Sequence, residues 1–269
     1  MKNEGKLAFP SNARPLRRWL LLVVSLALGV LVWHLLSQWL GLPDFILPGP
    51  GQVWQRFLQS LSEGQLLYHT SITLIEMLAG LFLGGLTATI LGYLLSKSST
   101  LEKLISPYLI ASQSIPVVAI APLLVIWFGP GIFSKILICS LTVFFPVLIN
   151  TVLGLREVPQ DLRDLMQSLQ ATKVQTFWKL EVPAALPIFL GGLRVGATLS
   201  VIGAVVGELV GADRGLGFLI NVGRGQYDTA LVFVSIITLV VMAMSLYGLV
   251  LLVETQLLSW QSWRQKQDT

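Results

Sequence analysis

The chain carries one long polar segment between two apolar runs, and it reads PQDLRDLMQSLQATKVQTFWKLEVPAALP (residues 159–187). Pro159 followed by Asp161 and Asp164 is typical of a helix start, because acidic side chains in the first turn interact favourably with the helix dipole. The apolar residues that follow recur at spacings of three and four: Leu162, Leu165, Met166 and Leu169. This spacing predicts a short helix with one apolar stripe.

A second short helix is predicted after a break near residues 170–172, and it carries the apolar side chains of Val174, Phe177 and Trp178. Pro183 and Pro187 are predicted to end the segment and to restart the chain as an apolar helix. Two interpretations of the segment remain open. It either packs beneath the neighbouring helices or presents its apolar edge to a docking partner.

The composition around this segment indicates an integral membrane protein. Of 269 residues, 54% are hydrophobic and only 12% are charged, about half the charge density of a soluble domain. The single Cys139 excludes a disulfide scaffold within the chain. The net charge of +4 comes from short basic clusters between apolar runs, which does not favour nucleic-acid binding.

Six apolar runs are long enough to cross a bilayer, since a spanning helix needs about 20 mainly apolar residues. They cover approximately residues 19–40, 66–95, 104–128, 132–153, 184–210 and 229–258. The third run is interrupted by Pro107, Pro116 and Pro122. The fold class predicted is therefore all-α, a polytopic membrane protein with six transmembrane helices.

The distribution of basic residues predicts the orientation. Of 18 Lys and Arg residues, 13 lie in segments on one side and 4 (Arg56, Lys135, Arg214 and Arg224) on the other, while Arg194 lies within the fifth run. The positive-inside rule then places both termini in the cytoplasm. We expect cytoplasmic tails at 1–18 and 261–269, a six-helix domain at 19–260, and a cytoplasmic loop at 155–183.

On the opposite side, residues 41–65 form a segment rich in Pro and Gly followed by an amphipathic stretch. Its apolar residues share one face: Val53, Trp54, Phe57, Leu58 and Leu61. An interfacial helix at the outer surface and a contact with an external partner are both consistent with this pattern.

Small residues at intervals of four predict close helix packing, because lipid provides no hydrophobic drive for helix association. The second run carries them at Gly80, Gly84, Ala88 and Gly92. The fifth run carries two such series: Gly192, Gly196, Ser200 and Ala204, and Gly203, Gly207 and Gly211.

Charged residues within the spans need partners or water. Glu76 and Glu208 are in register with the small-residue series and are predicted to face protein, and Arg194 is a third such charge. These residues either form structural ion pairs and hydrogen bonds or line the translocation path or its gate.

Polar residues next to a proline give further path candidates: Ser112, Gln113, Ser114 and Pro116. Pro116 frees a backbone carbonyl at membrane depth, which is tolerated where helices or water satisfy it. The polar side chains either hydrogen-bond a passing solute or join helices.

The segment from Asp164 to Pro187 resembles the EAA loop of binding-protein-dependent ABC importer permeases. In that family the loop inserts into a groove on the ATP-hydrolysing subunit. The resemblance implies a coupling role for Asp164, Leu165, Met166, Leu169, Gln170, Ala171, Phe177, Pro183 and Pro187. Gln170 stands where the family usually has glycine, which bears on the geometry of the turn.

Three further stretches resemble the nitrate, sulfonate and taurine branch of these permeases. They are SIPVVAIAPLLVIWFG (114–129), FILPGPGQVW (45–54) and GAVVGELVGADRGLGFL (203–219). With the loop, they occur in the family's order over about residues 42–255. The resemblance implies the type I ABC importer permease fold in the inner membrane.

The resemblance also implies partners. These are a dimer of ABC ATPase subunits, an extracytoplasmic solute-binding protein and a second copy of the chain, within the lipid bilayer. The sequence has no G-x-x-x-x-G-K-[ST] motif, so ATP and Mg are expected on the partner ATPase, and neither enzymatic activity nor a cofactor is expected of this chain. No metal site is expected, since His34 and His69 have no ligand-spaced neighbours.

The substrate expected from the resemblance is a thiamine-precursor pyrimidine or a riboflavin-like heterocycle. The residues that suggest it are those around Glu76, Leu180–Pro183 and Ile202–Glu208. The alternatives are a sulfonate, taurine or nitrate permease and an ion-coupled secondary transporter, whose uptake would persist after ATP depletion. A membrane enzyme is disfavoured, because no convergent nucleophile and base are visible.

Overall fold

In the computed structural model, residues 15–39 and 43–259 are described, and every regular element within them is a helix. The helices are α1 Pro15–Trp39, α2 Pro50–Ser62, α3 Gln65–Lys97, α4 Ser99–Gln113, α5 Val117–Phe128, α6 Ile132–Arg156, α7 Gln160–Ser168, α8 Lys173–Thr176, α9 Val182–Gly211, α10 Leu216–Gly225 and α11 Thr229–Leu257. A π-helical turn, Phe177–Glu181, joins α8 to α9. Residues 261–269, predicted as the C-terminal tail, and residues 1–14 lie outside the described residues.

Helix α6 packs along both α3 and α9, and these three helices form the centre of the molecule. The small residues predicted from the sequence lie in these contacts. A Cβ at Gly84 would overlap the backbone of Ser140, and one at Gly203 would lie 2.7 Å from the Cα of Cys139. The predicted packing role of these glycines is confirmed, since larger side chains would separate the helices.

Four of the predicted spans are single helices long and apolar enough to cross a membrane. They are Gln65–Lys97, Ile132–Arg156, Thr229–Leu257 and the continuous Lys173–Gly211. Each covers a predicted run to within a few residues, except that Lys173–Gly211 begins well before its predicted run of 184–210. Apolar side chains on their outer faces are exposed, as expected for helices that contact lipid.

The remaining two predicted spans differ from the expectation. Helices α4 and α5, which cover the third run, meet at an angle of 94°, as a broken span or a re-entrant loop would. Pro107 and Pro122 lie inside helices, so Pro116 alone of the three prolines stands at the break. In the first run, Val23–Trp39 is a shorter apolar helix, and Leu40 lies outside the described residues.

The amphipathic stretch predicted in the outer segment is α2, which lies against α11. Val53 is buried, whereas Trp54 and Leu58 on the helix are exposed. Arg56 is 2.7 Å from Asp228, whose other carboxylate oxygen accepts the backbone N–H of Leu231 at the start of α11. This ion pair fixes α2 to the start of α11.

The polar segment 159–187, called the inner segment after its predicted side of the membrane, differs from the prediction in its second half. Helix α7 is a separate short helix, as predicted. However, α8, the π-helical turn and α9 form one helix from Lys173 to Gly211. Pro183 follows the π-helical turn almost directly and Pro187 lies one turn further on, so both prolines stand within this continuous helix. The prediction that these prolines end the segment is therefore wrong.

Candidate functional sites at the two ends of the bundle

The inner segment presents an exposed apolar face. Leu165 and Leu169 on α7 and Val174 and Trp178 beyond the turn are exposed, with 68% of Leu169 accessible to solvent. Asp164 is also exposed, and it accepts a hydrogen bond of 2.9 Å from Gln160 in the preceding turn. Large apolar side chains on a polar loop are typical of a surface that another protein covers.

The turn between α7 and α8 has the geometry for which glycine is the usual residue. Gln170 has a φ of 54°, in the left-handed region, and its N–H donates to the Gln167 carbonyl at 2.9 Å. The Ala171 N–H donates to the Met166 carbonyl at 2.9 Å, which completes a helix C-cap of the Schellman type. The chain thus makes the tight turn with glutamine in place of glycine.

The next helix begins with a capping box. The Thr172 hydroxyl accepts the Gln175 N–H at 3.3 Å, and the Gln175 side chain accepts the Thr172 N–H at 2.8 Å. These bonds satisfy donors that have no partner within the helix. The C-terminus of α7 and the N-terminus of α8 are therefore both capped by local hydrogen bonds at the turn.

Phe177, predicted to contact the partner, is half-buried and faces the bundle. Its ring meets that of Tyr93 on α3 edge to face, with centroids 5.2 Å apart. It also lines an apolar cavity of about 380 Å³ between α3, α6 and α9. Met166 and Ala171 are half-buried as well, so the segment has an outer face and an inner face.

At the opposite end of the bundle, three side chains hold the start of α10. His69 Nδ1 accepts the N–H of Gly215 at 2.9 Å, the Thr73 hydroxyl accepts that of Leu216 at 2.9 Å, and the Glu208 carboxylate accepts that of Gly217 at 2.5 Å. The first N–H groups of a helix lack intrahelical partners, and an acidic side chain there is favourable. Helix α10 is thereby fastened to α3 and α9.

The glycines of this turn are required by the same contacts. Gly215 has a φ of 105°, and a Cβ there would overlap the Glu208 carboxyl group. A Cβ at Gly217 would come within 2.8 Å of the Glu208 Cβ. The DRGLG stretch at 213–217 therefore has glycine wherever the chain passes over Glu208.

Glu76 and Glu208 face protein, as the small-residue register predicted, with 1% and 0% of each residue exposed. Their carboxyl groups contact each other. Lys135 lies close by, and its ammonium donates to the Pro130 carbonyl and, at 2.8 Å, to the Gly211 carbonyl. Buried acidic and basic groups thus meet where α3, α6 and α9 pack together near the start of α10.

Lys135 is a buried cation at the start of α6. The sequence places it among the outer segments, yet it lies within α6 and is only 1% exposed. The two carbonyls that accept its protons come from the loop before α6 and from the last residue of α9. A cation at a helix C-terminus is favourable, which explains the burial of this ammonium.

A cavity of about 540 Å³ opens beside this cluster. Glu76 and Lys135 line its inner part, and Asp213 and Arg214 lie at the loop end. Arg214 donates to both carboxylate oxygens of Asp213, at 3.0 and 2.9 Å, and these bonds lower the pKa of the Asp213 carboxyl group. The cavity therefore has charged groups at both its floor and its mouth.

Arg194 is separate from both clusters. Its guanidinium is 2.9 Å from the Glu254 carboxylate on α11 and lies 6.0 Å from the centre of the Tyr247 ring. This ion pair satisfies the charge within the span and joins α9 to α11.

Ser112, Gln113, Ser114 and Pro116 lie at the bend between α4 and α5, and all four are exposed. The Ser112 and Ser114 hydroxyls donate to carbonyls of their own helix, at 2.7 and 3.3 Å. The structure does not bring these residues together with Glu76, Glu208 or Arg194.

Four buried polar residues were not predicted from the sequence as site residues: His69, Thr73, Lys135 and Glu181, the last of which ends the π-helical turn before α9. A signal for two of them exists, because His69, Thr73, Glu76 and Gly80 follow one another at spacings of four, three and four on α3. Continuing this spacing from Glu76 towards the N-terminus of α3 would have predicted that His69 and Thr73 lie on the same buried face. Lys135 and Glu181 lie beside apparent loop ends, and nothing in their local pattern distinguishes them from exposed charges.

Apolar helices of spanning length define a multi-pass membrane protein. Residues 78–258 match the family described as binding-protein-dependent transport system inner membrane component. The chain belongs to this family, and it is an ABC transporter permease of the inner membrane that functions in import, not an enzyme.

Relatives confirm the branch expected from the sequence. The chain is 44% identical over 241 residues to the riboflavin transport system permease protein RibX of Chloroflexus aurantiacus, covering 90% of each chain. It is 37% identical over 232 residues to the formylaminopyrimidine transport permease protein ThiX of Halalkalibacterium halodurans, covering 86% of this chain and 92% of the relative. It is 31% identical over 271 residues to the putative aliphatic sulfonates transport permease protein SsuC of Bacillus subtilis, covering 97% and 98%.

The fold is also found among solved structures. A chain of the MetNI methionine ABC transporter in an inward-facing conformation aligns with a TM-score of 0.59 and 20% identity. The alignment covers 70% of this chain and 94% of that chain. At this identity the likeness concerns the fold alone.

Proposed function

We propose that the chain is the membrane subunit that takes its driving force from a separate ATPase, which docks on the apolar face of the inner segment. That face consists of Leu162, Leu165, Leu169, Val174 and Trp178. The observation that carries the proposal is the exposure of these side chains on a segment whose other face is held against the bundle. ATP and Mg would bind to the ATPase, and a solute-binding protein would deliver the solute at the other end.

The proposed topology has six spans and both termini in the cytoplasm, with the tails and the loop at 155–183 as the sequence predicts. The basic residues support this orientation, and α1 together with the bent α4–α5 pair would supply the two spans beyond the four long helices. Two copies of the chain would form the path between them.

The cluster of Glu76, Lys135 and Glu208, called the outer cluster after its predicted side of the membrane, is the proposed gate of the path. Glu208 holds the start of α10, and Glu76 and Lys135 line the adjoining cavity. The hydrogen bonds that hold the start of α10 would break and re-form if α3 and α9 moved as rigid bodies. A cluster that joins the ends of these helices therefore lies where a gate could open. The polar residues 112–114 at the α4–α5 bend are proposed to line the path.

The proposed solute is a heterocycle of the pyrimidine or riboflavin kind. The names of the relatives at 44% and 37% identity support it, whereas the sulfonate relative at 31% supports the alternative. Titration of the solute-binding protein that serves this permease with riboflavin, formylaminopyrimidine and taurine would decide between them. Binding of taurine alone would overturn the heterocycle proposal.

The docking proposal is tested with Leu165→Asp in the purified complex. We expect the ATPase subunit to be lost during co-purification, because a carboxylate would be buried without a partner. Gln167→Asp is the matched control, since Gln167 is exposed and lies on the opposite side of α7. Full ATPase association and transport with Leu165→Asp would contradict the proposal.

A further inference from the structure

Glu181 is a buried charge at the junction between the inner segment and the bundle. It ends the π-helical turn before α9 and is 2% exposed. Its carboxylate accepts hydrogen bonds from Lys97 Nζ and, at 3.4 Å, from Arg163 Nη1. A buried carboxylate between two cations is costly to move away from either one, because separation would leave an unpaired charge.

The two cations belong to different helices. Lys97 is the last residue of α3, and Arg163 lies in the middle of α7. The second terminal nitrogen of Arg163 donates to the Leu155 carbonyl at 2.8 Å, near the end of α6. One carboxylate and its partners therefore connect α7 with all three central helices.

A second contact one turn away reinforces this junction. Tyr93 precedes Lys97 by four residues, and Phe177 precedes Glu181 by four, and the two aromatic rings touch each other. Residues four apart lie on one face of a helix. The end of α3 thus meets the π-helical turn at two points, one aromatic and one ionic.

We propose that Glu181 is a positioning residue that transmits displacement of α7 to α3 and α9. The proposal rests on the docking of an ATPase at the inner segment. When α7 is pushed or released, Arg163 carries Glu181 with it, and Glu181 moves the end of α3 through Lys97 and α9 through the backbone. π-helical turns are frequent at functional sites, and here the turn stands where the moving helix enters the bundle.

The test uses the complete complex of permease, ATPase and solute-binding protein in proteoliposomes. In Glu181→Gln, we expect the ATPase subunit to co-purify as before while the solute transported per ATP hydrolysed falls about tenfold. Glu102→Gln is the matched control. Glu102 also pairs with an arginine, Arg156, but this pair joins α4 to α6 and does not touch α7. Its transport per ATP should equal that of the wild type.

A Glu181→Gln complex that transports a wild-type amount of solute per ATP would overturn the proposal. Should this variant fail to assemble, Arg163→Gln removes the contacts of α7 with Glu181 and with the Leu155 carbonyl and leaves the Lys97–Glu181 pair in place. The same loss of coupling is expected there, and wild-type coupling would again overturn the proposal. Failure of the docking proposal is distinguishable, because it would appear as ATPase association that survives Leu165→Asp.

Discussion

The Thr73 hydroxyl donates a hydrogen bond of 2.6 Å to the Glu208 carboxylate, across 135 positions of sequence. The same hydroxyl accepts the Leu216 N–H, and the same carboxylate accepts the Gly217 N–H. Two side chains on α3 and α9 therefore hold each other and the start of α10. The attachment of α10 to α3 and α9 therefore depends on the Thr73–Glu208 pair.

Removal of the Glu208 carboxylate should lower uptake while the complex still assembles. In Glu208→Ala, the N–H of Gly217 loses its acceptor and the Thr73 hydroxyl keeps only its bond of 3.2 Å to the His69 carbonyl, so we expect a loss of stability of about 2–3 kcal/mol. Thr73→Val should cost less, about 1 kcal/mol. Thermal unfolding and solute uptake in proteoliposomes measure both effects.

Asp213→Asn serves as the control for this prediction, because Asp213 is exposed and its carboxylate pairs with the exposed Arg214. It should leave unfolding unchanged. If Glu208→Ala lost assembly in proportion to uptake, Glu208 would have a purely structural role. Unchanged uptake in this variant would contradict the proposal that the cluster is part of the translocation path.

The contact between α3 and α6 predicts that Gly84 tolerates no side chain. A Cβ in Gly84→Ala would overlap the Ser140 backbone, which cannot move aside as a flexible side chain could. We expect a loss of about 1–3 kcal/mol from overpacking. In Gly248→Ala the new Cβ would meet nothing within 4 Å, and alanine is favoured over glycine inside a helix, so this variant should be at least as stable as the wild type. Equal melting temperatures for the two variants would argue against the packing described.

The turn at Gln170 predicts a gain of stability from glycine. With a φ of 54°, Gln170→Gly should relieve about 1 kcal/mol of backbone strain, while Gln170→Val should add strain because its side chain is β-branched. Hydrogen exchange of the 160–176 amides would show slower opening in the first variant and faster opening in the second. The reverse order would mean that the turn is not left-handed.

The ion pair between Arg194 and Glu254 predicts rescue by a charge swap. Arg194→Glu alone should leave Glu254 without its cation and place a second acidic group near it, and it should reduce assembly of the complex. Adding Glu254→Arg should restore assembly and uptake if the pair only joins α9 to α11. Restored assembly without restored uptake would instead indicate that Arg194 acts in the path.

Much of the fold followed from patterns within single helices. The apolar runs gave the four long helices, and the glycine spacing on α3 and α9 placed Glu76 and Glu208 on buried faces. What the pattern could not give was pairing between distant residues. Glu181 and Lys97 are 84 positions apart, and nothing in either neighbourhood identifies the other as its partner.

Two features of the structure differ from what local sequence patterns indicate. Pro183 and Pro187 were expected to end the polar segment and restart the chain as an apolar helix, yet the π-helical turn directly before Pro183 keeps the helix continuous from Lys173 to Gly211. Lys135 was only counted among the outer basic residues, yet it is buried, and backbone carbonyls at the ends of two segments accept its protons. Because every residue has a backbone carbonyl, the sequence does not reveal which carbonyls will accept the protons of a buried lysine.

The central claim is that ATP hydrolysed on another subunit drives this permease through its inner segment. Purified permease would be placed in liposomes with and without the ATPase subunit, and uptake of solute delivered by the binding protein would be followed with and without ATP. We expect uptake only when the ATPase and ATP are both present, and its loss with Leu165→Asp. Concentrative uptake by the permease alone would contradict the account.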